Sequence, residues 1–415
     1  MKVIRNILLC ILVLCTHQII AQNRINISIE QAEKQFLEQN LQILAERYNI
    51  DIADAAIVQA KVLNNPAIGV GDLNFWHTNA DVGTLRATSP QFNVHLEQMI
   101  RTAGKRRKLI DVEKVSKEMA IQEFEAFLWG LKTELRTTLH NIIYLQSYLN
   151  VIDLQMNSIN NMVEVYKKQT SAGNISKSEL IRLQSSLIEL ETEANEQLAM
   201  LNGLYKSLKM LLNAPPETDI FVLNTVSETK NPNEISLNQL FEMAKNRHPA
   251  FLLSDLNIQY HEKLLRYEKA QRSPDVGVSL NYDRYGGVWK DFFGVGISVD
   301  IPIFNRNQGN IKIAKLSVEK SNYHADYQKN VVLQEIAEAY ELYTLNYHYY
   351  KKLMAHDFSE ELENMFEIYS RNFLNKNINM IEYMDFMYAY KTTKQAVLIA
   401  KKNLETSFVE LQQWY

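Results

Sequence analysis

Residues able to do chemistry are few in this chain, and they lack the patterns that catalysis needs. The 415 residues contain no H-E-x-x-H zinc motif, no G-x-S-x-G nucleophile turn and no Walker loop. His348 and His356 are two helical turns apart and His140 stands alone, so each is expected to be a packed or surface residue rather than a metal ligand. The sequence therefore predicts a protein that is not an enzyme and carries no cofactor.

Two carboxylates and three methionines occupy one short segment near the end of the chain. Glu382 and Asp385 are three residues apart, so they share one face of a predicted helix, where they would attract cations. A solvated polar face is the alternative for this pair. Met380, Met384 and Met387 lie on one side of the same segment, and thioether sulfur suits soft cuprous ions. Filling of a core by adaptable methionines is the favoured interpretation of this cluster.

Composition and the first residues restrict the possible partners and the compartment. The formal net charge of -4 gives no global bias toward nucleic acid. A basic start followed by a short apolar run predicts a signal peptide over residues 1–21, cleaved after Ala21. Both cysteines, Cys10 and Cys15, fall inside it, so the mature chain is expected to have none, and lipidation of Cys15 is an alternative.

The chain contains one pattern twice, which divides it into two structural repeats. Residues 27–70 recur as residues 235–278 at an offset of 208, which brings Pro66 onto Pro274 and Gly69 onto Gly277. The sequence predicts one supersecondary unit copied once, over residues 22–225 and 226–415. The proline-bearing linker, residues 213–233, is predicted to form a small irregular belt.

Four short segments of 6 to 10 residues alternate apolar and polar residues, and a tilted strand that crosses hydrocarbon is about 10 residues long. The four segments are Pro66–Phe75, Phe92–Glu97, Val276–Asp283 and Phe293–Asp300. One face would meet lipid and the other a wet lumen. Since no later stretch approaches about 18 consecutive apolar residues, a membrane span would have to be a barrel. A hairpin in a soluble sandwich is the alternative.

Long helices are predicted beside these strands. The segments Lys105–Thr170 and Ile311–Leu374 would each measure about 95 to 100 Å at about 1.5 Å per residue. Shorter helices are predicted over Ser28–Asn64, Ser176–Leu212, Ile235–Ser273 and Ile378–Trp414. A seam of regularly spaced leucines that begins at Leu180 predicts a coiled coil.

These elements predict a mainly α fold with a small β part. The duplicated long helices would form a coiled-coil barrel or rod. Four strands cannot close a membrane barrel, because small barrels need about 8. A homotrimer would supply twelve strands, so we expect a 12-stranded trimeric transmembrane β-barrel.

In this order of helices and strands, the sequence resembles the TolC family of trimeric outer-membrane efflux channels over essentially the whole mature chain. The stretch from Asp300 to Ile311 resembles the strand-to-helix junction of the branch that exports heavy-metal cations. The junction residues are Pro302, Asn305, Arg306, Asn307, Gln308 and Gly309, with Gly104 in the first repeat. Proline ends strand pairing and glycine permits the bend into the helix. The basic cluster Lys105–Lys108 would lie at the inner membrane interface, a solvated helical turn being the alternative.

The resemblance implies that two helical turns dock a periplasmic adaptor. The matching residues are Gly173, Asn174, Ile175, Ser176 and Glu179 in the first repeat, and Asn377 and Ile378 in the second. On its own terms, Gly173 predicts a helix C-cap, and Ser176 with Glu179 a capping box. Lys376 stands where glycine is usual, so the left-handed residue of the second turn is expected at Asn375 or Asn377.

The resemblance also assigns Glu382 and Asp385 to an acidic ring at the closed periplasmic entrance, where three chains would bring about six carboxylates together. It implies a passive exit duct in the outer membrane of a Gram-negative bacterium, with the helical rod in the periplasm. Its partners would be outer-membrane lipid, the adaptor and an inner-membrane transporter, expected to be of the proton-driven resistance-nodulation-division type. A periplasmic coiled-coil adaptor or structural protein without a pore, and a channel for drug or protein export, are the alternatives.

Overall fold

The computed structural model describes residues 24–74, 91–224, 229–355 and 358–414. The predicted signal peptide with Cys10 and Cys15, and the end of the first predicted strand at Phe75, lie outside these residues. The described residues form two compact units. The first unit contains the residues up to Leu44, Phe127–Ala244 and those from Gln334; the second contains Ala45–Ala126 and Lys245–Leu333. Each unit is therefore assembled from both halves of the chain, and the division into repeats stays a prediction.

Helices make up most of the described chain. They are α1 (Ile29–Gln39), α2 (Leu41–Lys61), α3 (Lys105–Ser171), α4 (Lys177–Leu211), α5 (Leu237–Arg247), α6 (Pro249–Ala270), α7 (Gln308–Met354), α8 (Phe358–Leu374) and α9 (Met380–Gln412). The predicted bounds of α3, α4 and α9 agree with the structure to within two residues at each end. None of the described helices has a stretch both long and apolar enough to cross a membrane.

Three helices predicted to be continuous are interrupted, which corrects the sequence interpretation. The predicted helix over residues 28–64 breaks at Asn40, whose side-chain oxygen accepts hydrogen bonds from Gln42 N at 2.9 Å and Ile43 N at 3.0 Å. Asn40 is buried, and its amide donates to Leu211 O at 2.8 Å, so it caps α2 and satisfies a carbonyl at the end of α4. The predicted helix over residues 311–374 ends at Met354 and resumes at Phe358.

The third interruption is at His248, 208 residues after Asn40, which is the offset between the repeats. Imidazole Nδ1 accepts a hydrogen bond from Ala250 N at 3.3 Å, and Pro249 opens α6, where its missing N–H costs nothing. Two different side chains thus cap the same position of the two halves. The duplication of the chain nevertheless stays a prediction.

We expect the cap at His248 to make stability depend on pH. Burial lowers the pKa of His248 to about 4, whereas the imidazole of the unfolded chain has its ordinary pKa of 6.5. Between these two pH values His248 is protonated in the unfolded chain and neutral in the folded chain. The free energy of unfolding therefore falls as the pH drops from 6.5 to about 4. After discounting for partial exposure, the loss should be about 2 kcal/mol.

The matched control for this prediction is His248→Asn, which copies the cap of Asn40 and does not titrate in this range. Thermal melting of both proteins across the acid range should show a shallower loss for the variant. Parallel melting curves for the two proteins at every pH would contradict the assignment.

The sheet of the second unit has the order β2–β3–β5–β6, and every pair in it is antiparallel. Its strands are β2 (Ala67–Asn74), β3 (Gln91–Ile100), β5 (Val276–Arg284) and β6 (Asp291–Val299), close to the four predicted segments. The register places predicted apolar faces beside each other: Leu280 pairs with both Leu96 and Val295. Because side chains alternate across a sheet, one face is almost wholly apolar.

The other face of this sheet is mostly polar or small, with Met99 and Phe292 as large apolar exceptions. Ser298 Oγ donates to Glu97 Oε1 at 3.2 Å, across the intervening strand. The apolar face is uncovered by other described residues: Phe293, Val295 and Ile297 are 79%, 74% and 75% exposed. The sheet therefore has one mostly polar face and one exposed apolar face, and their assignment to lumen and lipid stays a prediction.

The linker between the halves is more regular than predicted. Within it, β4 (Asp219–Val222) pairs in parallel with β1 (Arg24–Ile27). Ile27 and Ile220 are buried in this two-stranded sheet. The expectation of an irregular belt is therefore wrong for these residues. Local sequence does not reveal the pairing, because the partner strand β1 lies almost two hundred residues earlier in the chain.

The core of the first unit contains the predicted coiled-coil seam. Leu183, Leu190, Leu201, Leu208 and Leu211 of α4 are buried. In α9 the buried side chains of the seam differ more in size. They are Tyr383, Tyr390, Ala400, Leu404 and Leu411. The mainly α fold with a small β part is confirmed.

Candidate functional site

The first helical turn joins α3 to α4 and has the geometry predicted for its glycine. Gly173 has φ of 78°, in the left-handed region. Asn174 N donates to Gln169 O at 2.9 Å and Gly173 N to Thr170 O at 3.1 Å, the paired bonds of a Schellman cap. Ser176 Oγ then accepts from Glu179 N at 3.3 Å and caps α4. Both helix ends at this turn are satisfied by its own residues.

The second turn, between α8 and α9, repeats this geometry and corrects one expectation. The left-handed residue is Lys376 itself, with φ of 62°, rather than Asn375 or Asn377. Asn377 N donates to Asn372 O at 2.9 Å and Lys376 N to Phe373 O at 3.0 Å. These two bonds hold the lysine in a conformation that costs about 1–2 kcal/mol for a residue other than glycine.

Both turns cover one aromatic and aliphatic core. The rings of Tyr166 and Phe373 stack with centroids 5.4 Å apart, and Phe373 stacks on Tyr383 at 4.4 Å. Ile175 and Ile378 each pack against this cluster. Of the predicted docking residues, these two isoleucines anchor the turns. Gly173, Asn174, Ser176 and Asn377 are exposed, and Glu179 is half-buried.

The acidic pair lies in the first two turns of α9. Glu382 and Asp385 are both exposed, and Glu382 N donates to the capping side chain of Asn379 at 2.9 Å. A carboxylate in this position also favours the helix through its dipole. The methionines divide differently: Met380 and Met387 are buried in the core beneath the turns, and Met384 is partly buried against it. Core filling is thus the role that the structure gives them.

Two ion-pair networks that sequence reasoning missed link α9 to its neighbours. Lys391 Nζ lies 2.5 Å from Glu193 Oε2 on α4, and Tyr148 of α3 donates to the same carboxylate. Burial raises the pKa of the Tyr148 hydroxyl, and the carboxylate of Glu193 raises it further, so the tyrosine stays a donor.

In the second network Lys394 pairs with Glu363 of α8, and Tyr390 OH donates to Glu363 Oε2 at 3.1 Å. Burial and the adjacent carboxylate raise the pKa of Tyr390 as well. The spacing of Lys391 and Lys394 on one helix was visible in the sequence. Their partners were not, because they lie on other helices.

The strand-to-helix junction after β6 turns at Asn307. This residue has φ of 55°, whereas Gly309 lies in the first turn of α7. The Asn307 amide donates to Glu268 O at 2.9 Å and to Glu268 Oε2 at 2.6 Å. The expectation that Gly309 makes the bend is therefore wrong. Asparagine tolerates the left-handed region, and its side chain is held by Glu268.

Neighbouring residues of the predicted motif complete this junction. Asn307 N donates to Asn305 Oδ1 at 3.1 Å, and Arg306 N donates to Gln308 Oε1 at 2.8 Å. Pairing of β6 ends at Val299, three residues before Pro302, so a role of this proline in ending the strand stays a prediction. The polar residues of the motif thus serve to hold the backbone of the junction.

The first junction, after β3, uses Ala103 and Gly104, with φ of 51° and 65°. Lys105 does not lie in the exposed basic cluster that the sequence predicted. It is buried, and its Nζ lies 2.8 Å from Asp275 Oδ1. Partial burial would raise the pKa of Asp275, but hydrogen bonds from Lys105 and from Thr102 N outweigh it, so the pKa is lowered. A buried lysine needs such a partner, which local sequence does not reveal.

Comparison with solved structures finds proteins that are similar to this chain over most of its length. Solved structures match 93% of the chain. One is the CmeC outer membrane channel of Campylobacter jejuni, with a TM-score of 0.76, 14% identity and 85% of that chain covered. Another is CusC, with a TM-score of 0.72, 13% identity and 91% covered. This chain has the fold of these two proteins.

Sequence similarity also relates this chain to a metal-resistance protein. The cobalt-zinc-cadmium resistance protein CzcC of Cupriavidus metallidurans is 22% identical over 287 residues, which is 68% of this chain. The chain spans 64% of the length of CzcC, just under two thirds. No family model matches the sequence. The resemblance to the heavy-metal branch of the TolC family is confirmed, and the predicted outer-membrane location agrees with that of CmeC, an outer membrane channel.

Proposed function

We propose that the protein is the passive outer-membrane exit duct of a tripartite efflux system. The observation that carries this proposal is the four-stranded sheet with one exposed apolar face and one polar face. Such a face is stable only against an apolar phase, and strands of this length can span hydrocarbon. The duct itself performs no catalysis and holds no cofactor.

The channel is a homotrimer in this proposal. The edges β2 and β6 of the sheet have no further partner strand among the described residues. Four strands are too few to close a barrel, and exposed edges favour pairing with another chain. Three copies joined edge to edge would give twelve strands and leave no free edge.

The partners and the cargo follow from the relatives and the turns. CzcC is a cobalt-zinc-cadmium resistance protein, so heavy-metal cations are the proposed substrate. The exposed residues of the two turns would dock a periplasmic adaptor, through which an inner-membrane pump of the proton-driven type delivers the cations. Glu382 and Asp385 would form the acidic ring of the entrance.

Single-channel recording of the detergent-extracted mature protein, with crosslinking of the same sample, tests this function. We expect a discrete, cation-selective conductance from a trimer. A protein released without detergent, and without conductance, would contradict the duct and favour a periplasmic coiled-coil protein. A conducting trimer without cation preference would keep the duct and remove the metal-cation assignment.

A further inference from the structure

An exposed apolar segment follows the last strand of the sheet. Ile301, Ile303 and Phe304 are 73%, 59% and 90% exposed. They come after the final pairing of β6, Val299 with Val276, so they belong to the loop and not to the sheet. Ile303 N donates to Ile301 O at 2.9 Å, which folds the loop tightly around Pro302. Three large apolar side chains in four loop residues are unusual for a surface in contact with water.

The position of this segment connects it with the apolar face of the sheet. Phe293, Val295, Ile297 and Val299 are exposed residues of β6 at every second position, and Ile301 and Ile303 continue that spacing. The backbone leaves regular structure at Asp300. Irregular backbone is not stable in contact with hydrocarbon, but it is tolerated at the headgroup boundary, where water and polar groups can bond it.

The charges beyond the segment are mostly positive. Between Val299 and Leu316 the only acidic residue is Asp300, and it is followed by Arg306, Lys312 and Lys315. All three cations are exposed, and Arg306 Nε donates to Ile303 O at 3.1 Å, which ties the guanidinium to the apolar loop. Apolar side chains followed by cations match the order of acyl chain and phosphate in a leaflet.

A second copy of the chain is less suited than phospholipid to cover this apolar segment. The strand-to-helix junction of the first half also presents exposed cations, Arg101, Arg106 and Arg107. Contact between the two junctions of neighbouring copies would therefore bring like charges together. Pairing of β6 with another strand would use its backbone edge, and side chains stand perpendicular to that edge.

We infer that the loop Ile301–Phe304 is an interfacial anchor that inserts into the periplasmic leaflet of phospholipid, with Arg306, Lys312 and Lys315 on the phosphate groups. The inference rests on the proposed membrane-spanning sheet and extends the lipid contact beyond it. The anchor would fix the depth at which the sheet stops and the helix α7 begins.

Site-directed spin labelling of the trimer in phosphatidylethanolamine–phosphatidylglycerol vesicles tests the anchor. The labels are placed in the mature chain, which is expected to contain no other cysteine, at Phe304→Cys, Ile297→Cys in β6 and Glu189→Cys on the exposed face of α4. Collision rates with oxygen, which concentrates in lipid, and with a water-soluble nickel chelate report depth. We expect the Phe304 label to collide with oxygen severalfold more, relative to nickel, than the Glu189 label, and less than the Ile297 label.

Two results would refute the lipid anchor without refuting the proposed channel. A lipid-exposed Ile297 label with a Phe304 label as accessible to nickel as the Glu189 label would place the loop in water. A Phe304 label shielded from both reagents, and broadened by a label on another copy, would make the loop a subunit contact. An Ile297 label outside lipid would instead refute the proposed membrane-spanning sheet, and the anchor with it.

Discussion

Export of metal cations is expected to be abolished when the first helical turn receives Gly173→Lys together with Glu179→Lys. The exposed surface of this turn is small, so one long side chain and one reversed charge would change most of what an adaptor meets. The fold should survive, because Lys376 occupies the equivalent position of the second turn with φ of 62° and the same pair of cap bonds. The local cost of a left-handed lysine is about 1–2 kcal/mol.

The readout is survival of the host on cobalt, zinc and cadmium, with crosslinking to count the chains and co-purification of the adaptor. The reciprocal variant Lys376→Gly is the control, since it removes a side chain and relieves the backbone of the second turn. It should keep the trimer intact and, by the same estimate, stabilise the turn by about 1–2 kcal/mol. Normal resistance in the Gly173→Lys, Glu179→Lys double variant would remove the docking role from this turn.

Neutralising the acidic pair is expected to change what the channel conducts. Glu382→Gln with Asp385→Asn keeps the size of both side chains and leaves the cap between Asn379 and Glu382 N in place. A carboxylate about 4 Å from a passing ion contributes about 1 kcal/mol in water. Loss of several such charges at a constriction should lower the cation preference by about tenfold, which corresponds to about 1.4 kcal/mol.

Conductance should rise in the same variant, because ions held strongly at a constriction leave it slowly. Planar-bilayer recording measures both quantities. The control is Glu189→Gln with Glu196→Gln, two exposed carboxylates on α4 that carry the same change of charge. Equal selectivity and conductance in the acidic-pair variant and the unmodified channel would refute the entrance assignment.

The sheet and the long helices were predictable because their signals are local and repeated. The alternation in β5 and β6 gives the faces of both strands, and the register confirms which residues share them. The spacing of leucines from Leu180 to Leu211 predicts a buried seam, and α4 buries it. Gly173 predicts a turn because only glycine takes the left-handed backbone conformation without strain.

Within the candidate sites, the sequence identified the turn residues and the carboxylates by type and spacing. It could not identify the partners of Lys391, Lys394 or Lys105, since an ion pair forms between residues that the fold brings together. The partner of Lys105 is 170 residues away in the chain. Of the four cationic residues Lys105–Lys108, Lys105 is therefore buried in an ion pair, and the other three lie nearer to solvent.

The sequence by itself determined the periodicity of this protein: which segments are strand or helix, which faces are apolar, and where one half resembles the other. Tertiary structure decided where helices break and which residue bends a junction. Asn40 ends a helix because its side chain bonds both α2 and the end of α4, and Asn307 turns the chain because Glu268 holds its amide. Periodic burial is encoded by neighbours in sequence, whereas the energy of a cap or a buried charge depends on atoms from distant segments.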